Sequence, residues 1–251
     1  MRACHDIFIR DPLLFIDMNE ELSPSHDARR TKRVPPGQVV SNGWPILHAG
    51  TVPEVTKATW DLRVYGEVER PINLTYDDLL QLVRTVQTND IHCVTTWSKL
   101  NMQWEGVRFK DLMEVVKPTE RAHYAVFECE QGFTTSLPME VLLDDDVLLA
   151  FRAEGRDLEN VHGGPVRMLV PKRYFYKSAK WLRGIKLVEK DEPGFWEIRG
   201  YSNTADPWNE ERYAGLSYAD ILKNRLRAYA RRKNTAKSSP NNDGGSASTS
   251  K

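Results

Sequence analysis

His162-Gly163-Gly164-Pro165-Val166-Arg167-Met168-Leu169-Val170-Pro171 decides the reading of this chain. Two glycines and a proline make a turn, and the apolar run from Val166 to Val170 behind them makes a strand. Glycines at such a turn let the backbone approach something closely, and Arg167 sets a permanently charged planar fork in the strand, suited to phosphate. Alone, the segment is also satisfied by an ordinary turn and strand with a structural arginine.

Downstream, Lys177-Ser178-Ala179-Lys180-Trp181-Leu182 is a basic, small-residue loop leading into a strand over Trp181 to Val188. Upstream, Cys93 ends the short apolar segment Ile91-His92-Cys93-Val94 and precedes the polar Thr95-Thr96-Trp97. A lone cysteine is most often a small buried hydrophobe. As a nucleophile it would need a base, and the neighbouring His92 is poorly placed, because consecutive residues of a strand point to opposite faces. Further strands are expected at Trp60-Leu62-Val64 ending at Gly66, at Tyr124–Phe127, at Phe133–Leu137 after a link containing Gly132, and at Val147–Ala153. Thr75 ahead of Asp77 and Asp78 caps a helix carrying Leu79, Leu80, Leu82 and Val83, and Pro138-Met139-Glu140 opens another short one. Strands and short helices therefore mix without βαβ alternation. No Gly-x-Gly-x-x-Gly run follows a strand, so the class is α+β with no dinucleotide fold.

The 251 residues are 40% hydrophobic, enough for one sizeable core. Lys plus Arg and Asp plus Glu number 35 each, so no net field draws the chain to nucleic acid or an acidic membrane. Cys4, Cys93 and Cys129 are too few for a disulfide framework and lack the spacing of a zinc site, which points to a reducing compartment. The apolar stretch near Ile7–Ile16 is broken by Arg10, Asp11 and Pro12, and Arg29-Arg30 has no apolar region behind it, so neither membrane insertion nor export is expected. Residues 1–33 read as a mobile arm, 34–232 as the folded domain and 233–251 as a disordered tail. Tyr218 to Arg232 has the spacing of a basic amphipathic helix, docked by its apolar side.

Taken together and in this order, Cys93, the His162 segment and the Lys-Trp-Leu segment resemble the molybdopterin-binding domain shared by sulfite oxidases, plant-type nitrate reductases and bacterial protein-methionine-sulfoxide reductase catalytic subunits. The resemblance covers roughly Pro35 to Tyr213. It implies a sulfite-oxidase-type domain of mixed β-sheets and short helices. It also implies a molybdenum-molybdopterin cofactor, with Cys93 as the metal ligand and His162 and Arg167 holding the pterin and its phosphate. Cys129 falls where the reductase branch has a cofactor-contacting threonine. Ser178, Ala179 and Lys180 match a further cofactor-holding loop, Asn42 and His48 sit in a segment packed over the pterin, and Trp104 matches a tryptophan lining the substrate pocket.

A soft thiolate suits such a metal, and the implied chemistry is oxygen-atom transfer to or from a small oxyanion, S-oxide or N-oxide. Sulfite oxidation is the alternative. Other classes left open are a non-catalytic cofactor-binding module and a cysteine-nucleophile enzyme. Sulfite oxidases carry arginines shortly after the ligand cysteine, but here Thr96-Trp97-Ser98-Lys99 follows. Only Lys99, with Lys172 and Arg173 as the other candidate cations, is available for an anion, so sulfite is expected to be held poorly. Neither a haem domain nor the C-terminal β-sandwich of the eukaryotic enzymes is recognised. The expectation is therefore a monomeric, cytoplasmic catalytic domain that takes a small-molecule substrate and exchanges electrons with a separate protein. The aromatic run from Gly194-Phe195-Trp196 through Trp208 to Tyr213 looks like that of bacterial stand-alone members, or simply covers the domain.

Overall fold

The computed structural model describes residues 33–215. Those up to Ala214 belong to one compact unit. The arm, the tail and the helix expected over Tyr218–Arg232 lie outside the described residues.

Two sheets carry the fold. One runs in the order β3 (Ile72–Thr75), β2 (Asp61–Gly66), β11 (Leu182–Val188), β6 (Tyr124–Cys129), β7 (Thr134–Pro138). The other runs β1 (Val39–Val40), β5 (Trp97–Arg108), β8 (Leu148–Ala153), β10 (Arg167–Leu169), with β4 (Arg84–His92) also paired to β5 and β9 (Arg156–Asp157) to β8. Each sheet mixes parallel and antiparallel pairs: β1 runs parallel to β5 and β2 parallel to β11. With only short helices between them, the α+β class holds.

Alternation explains the first sheet. In β2, Leu62 and Val64 are fully buried while Arg63 between them is exposed. In the second sheet β8 is covered on both faces from Leu148 to Phe151, and that stretch is unbroken apolar sequence before Arg152. Leu149 and Phe151 join the larger core with Leu62, Phe127 and Ile185, whereas Leu148 and Ala150 join a smaller one with Ile91, Met102 and Trp104.

Two helices matter for the frame. In α1 (Tyr76–Gln81) the Thr75 hydroxyl accepts from the Asp78 amide, and the Asp78 carboxylate accepts from the Thr75 amide, a reciprocal cap. The helix is shorter than expected: Leu82 turns to extended backbone, and Val83 is 72% exposed. In α2 (Phe109–Val116), Phe109, Leu112, Met113 and Val116 fall on one face and are all buried. The short α3 (Met139–Leu142) follows β7 where Pro138 had placed it.

The hairpin β4–β5 places the thiol. Its turn covers residues 93–96, closed by the Cys93 amide donating to the Trp97 carbonyl and the Thr96 amide donating to the Cys93 carbonyl. Thr96 adopts φ +84°, a conformation a β-branched residue rarely holds and one worth about 1–3 kcal/mol of strain. The surrounding contacts supply that energy. The Val39 amide donates to the Thr96 carbonyl, and the Gln38 side-chain amide donates to the Cys93 carbonyl at 3.0 Å.

Candidate active site

Cys93 is 7% exposed and its Sγ accepts the Thr95 hydroxyl at 3.1 Å. Burial pushes the thiol pKa up, while the Thr95 hydroxyl and amide, and then the charges of Arg212 and Lys180, pull it down. His92 offers the thiol no base: its Nδ1 lies 2.8 Å from the Ser98 hydroxyl, and burial drives its pKa down to about 4. The geometry therefore forms no Cys93–His92 dyad.

The His162 turn and the Ser178–Lys180 loop are stitched into one body. The Met168 amide donates to the Ala179 carbonyl, the Trp181 amide to Gly163 and the Leu182 amide to Val166. Gly163 holds φ +98°, and a Cβ there would come within 2.8 Å of the Lys180 side chain; a Cβ on Gly164 would meet the Leu158 carbonyl at 2.1 Å. The close approach that these glycines permit is thus between protein segments, which positions Lys180.

Arg167 is 1% exposed. Its Nη1 donates to the His162 carbonyl, its Nη2 to the Ser178 carbonyl, both at 2.7 Å, and its Nε to the Met168 carbonyl at 3.3 Å. The guanidinium lies 4.2 Å from the centre of the Phe175 ring. Two of its five N–H groups therefore tie the two loops together, a third bonds the neighbouring Met168 carbonyl, and two have no protein acceptor among the described hydrogen bonds. Burial lowers its pKa to about 9. Lys180 donates to the Val161 carbonyl at 2.6 Å, and burial, with Arg167 nearby, brings its pKa down to about 7. His162 is lowered to about 4 by burial and then by the charges of Lys180 and Arg167, so its ring is neutral at neutral pH.

The other expected residues take varied places. Ser178 is buried, its hydroxyl accepting from the Val170 amide, and Ala179 is buried beside it. Cys129 ends β6 in the larger core, where burial raises its pKa and the Arg167 charge opposes the rise. Trp44 stacks on His162 at 3.8 Å between centroids and meets Trp104 edge-on at 5.3 Å. Trp104 is fully buried. Asn42 and His48 are at the exposed rim: the Asn42 carbonyl accepts from Lys99, and the His48 ring approaches Trp181 at 6.1 Å. Lys172 does not reach the site, since it pairs with Asp144 and Asp146.

Three residues near Cys93 escaped the sequence reading. Gln38 holds its carbonyl, Tyr201 lies near enough that a thiolate there would disfavour its phenolate, and Arg212 donates to the Val94 carbonyl at 2.5 Å from 118 positions away. No local signal marks any of them.

Among the described residues no three His, Cys, Asp or Glu side chains cluster to hold a metal. A metal at Cys93 must therefore arrive with ligands of its own. The cations fit that demand. Neither Arg167 nor Lys180 has an ion-pair partner among the described residues, and buried positive charge without an anion is costly. The indole N–H groups of Trp97 and Trp104 are also buried without hydrogen-bond partners. An anionic group rich in acceptors, as a molybdopterin is, complements this set.

Comparison with known proteins agrees. The family model of the oxidoreductase molybdopterin binding domain matches residues 49–196. The uncharacterized oxidoreductase YuiH of Bacillus subtilis is 44% identical over 182 residues, which span 72% of this chain and 92% of that protein. The protein-methionine-sulfoxide reductase catalytic subunit MsrP of Campylobacter jejuni is 26% identical over 155 residues, 55% of this chain and 52% of the subunit. Among solved structures, the sulfane dehydrogenase SoxCD of Paracoccus pantotrophus matches with a TM-score of 0.55 and 26% identity over 61% of this chain and 43% of that one. The chain thus spans nearly all of YuiH but about half the length of the named reductase.

Proposed function

The chain belongs to the molybdopterin-binding oxidoreductase family, and we propose that it transfers an oxygen atom to or from a small sulfur-centred substrate, an S-oxide or a sulfur oxyanion. The observation that carries this reading is a buried thiol, Cys93, in one site with the buried Arg167 and the half-buried Lys180, neither of which has an acidic partner among the described residues. The names of MsrP and SoxCD place sulfur substrates in the same family.

A bound molybdenum-pterin would supply two-electron oxo chemistry. The protein's residues do the rest. Cys93 gives the one thiolate, which the metal's charge keeps deprotonated against the pull of burial. Lys180 and the free N–H groups of Arg167 hold the cofactor's anionic end, and neutral His162 offers a ring nitrogen to the pterin. The loops held by Arg167 keep these groups in place before the cofactor binds, so little ordering remains to be done on binding.

For an S-oxide the overall change is loss of oxygen as water, with two protons and two electrons. We assign the electrons to a separate redox protein, and the chain itself to a cytoplasmic monomer. Cell fractionation and size-exclusion chromatography test the last two points. The main reading is tested by protein made in a host that synthesises molybdopterin. Stoichiometric molybdenum with dye-linked turnover of an S-oxide or of sulfite is expected. Metal-free protein whose activity is abolished by thiol alkylation would point to a cysteine-nucleophile enzyme instead, and loaded protein with no turnover to a binding module.

A further inference from the structure

The sulfur of Cys93 is met from within its own turn. The Thr95 hydroxyl donates to Sγ at 3.1 Å, and the Thr95 amide bonds the same sulfur. A residue two positions past the thiol reaches back to it because the chain from Cys93 to Thr96 folds sharply, which puts Thr96 in the left-handed region at φ +84°. Outside groups brace that turn. Gln38 Nε2 donates to the Cys93 carbonyl, Gln38 Oε1 lies 3.5 Å from the Ser98 hydroxyl, and that hydroxyl lies 2.8 Å from His92 Nδ1. Gln38, Ser98 and His92 are all buried, so the brace is shielded from water. The Val39 amide fixes the far side through the Thr96 carbonyl.

A threonine on a half-buried turn can satisfy its hydroxyl with water or with a carbonyl. Here the braced turn holds the hydroxyl on the one atom that would bond the metal. A donor on a ligating sulfur draws electron density away from it, so the sulfur gives less to the metal. The bond is stronger when the metal is reduced, because the sulfur is then richer in electrons, and the reduced state gains. We propose that Thr95 is a positioning residue acting through Cys93, whose hydroxyl bond to the sulfur raises the reduction potential of the bound molybdenum and eases electron uptake from the redox partner. This rests on Cys93 ligating molybdenum and is independent of the substrate.

The test is a redox titration of the cofactor-loaded full chain as wild type, Thr95→Val and Thr95→Ser, with one-electron-reduced molybdenum followed by electron paramagnetic resonance. Valine keeps the branched shape and removes the donor, whereas serine keeps the donor. In Thr95→Val the balance between oxidised and one-electron-reduced metal should move about tenfold towards the oxidised form, a fall of about 59 mV in potential. Thr95→Ser should stay within about twofold of wild type. If the hydroxyl only supports the turn, Thr95→Val melts lower while its potential matches that of wild type, and the proposal fails. A potential that rises in Thr95→Val overturns it too. Should the valine variant not fold, Thr95→Ala, which also lacks the hydroxyl, is read by the same criterion. Failure of both to fold or to retain molybdenum assigns Thr95 to the frame and overturns the proposal, because a group that only modulates the sulfur is not needed to hold the metal. Wild type without molybdenum would instead sink the reading on which the proposal rests.

Discussion

Lys177→Ala should be among the most damaging substitutions outside the cofactor cradle. The Lys177 side chain is fully buried and its Nζ meets Glu197 Oε1 at 2.5 Å, with the Ser136 carbonyl at 2.9 Å and Asn203 Oδ1 at 3.2 Å. The same Glu197 oxygen accepts the Thr135 hydroxyl. Burial lowers the Lys177 pKa and the Glu197 charge opposes that, as expected of an ion pair taken out of water. Removing the cation leaves a carboxylate side chain that is only 2% exposed with one hydroxyl to hold it. Breaking such a pair costs about 3–5 kcal/mol. For a domain of this size that corresponds to about 6–20 °C in Tm, at 2–4 °C per kcal/mol. The pair Lys57–Asp157 has the same 2.5 Å separation, but its side chains are 46% and 48% exposed, so Lys57→Ala should cost about 0–1 kcal/mol. Burial, not distance, sets the difference. Calorimetric melting of the two variants compares them directly, and Lys177→Met with Glu197→Leu should recover most of the loss, because an apolar pair needs no compensation. The reasoning is refuted if Lys177→Ala melts no lower than Lys57→Ala.

Two further predictions follow from the cradle and the frame. Arg167→Ala should lower both cofactor occupancy and Tm, because three carbonyls lose a donor at about 1–3 kcal/mol for each left buried and unsatisfied, offset in part by removal of an unpaired buried charge; Arg167→Lys should restore part of the occupancy measured by elemental analysis, and full molybdenum content in the alanine variant would exclude the cofactor role. Thr75→Ala should cost about 1 kcal/mol by removing the cap of α1. Thr75 holds the Asp78 carboxyl below its ordinary value of 3.8, so the stabilisation is complete above that pH and fades as pH falls through the lower folded value. Asp78→Asn should therefore flatten the acid limb of a Tm-against-pH curve, and an unchanged limb would exclude this cap as its cause.

The sequence is legible where one short segment carries its own signal. The apolar run of β8, the alternation of β2 and the Thr75–Asp78 cap each predict the observed element, because burial on two faces, burial on one, and helix capping leave distinct local patterns. The long β4–β5 hairpin is hardly visible: Arg84, Val86 and Thr88 are exposed and alternate with half-buried residues, so its pairing is set by the partner strand. The α2 stripe of Phe109, Leu112, Met113 and Val116 was readable and went unread. At the site, His162, Arg167 and Lys180 stand in two neighbouring motifs that the fold joins. Arg212 lies within the aromatic run that ends at Tyr213 without standing out there, since nothing near it in sequence refers to the thiol loop. The twin glycines were read as an opening for a ligand, whereas their space is filled by Lys180 and the Leu158 carbonyl.

The central claim is that Cys93 alone among this chain's side chains ligates molybdenum. X-ray absorption at the molybdenum edge on cofactor-loaded wild type and Cys93→Ser protein tests it most directly, because the number of sulfur scatterers is read without reference to any substrate. The account predicts one sulfur fewer in the serine variant, or loss of the metal from a protein that still melts cooperatively, with oxidoreductase activity gone in either case. An unchanged sulfur shell with wild-type turnover would contradict it.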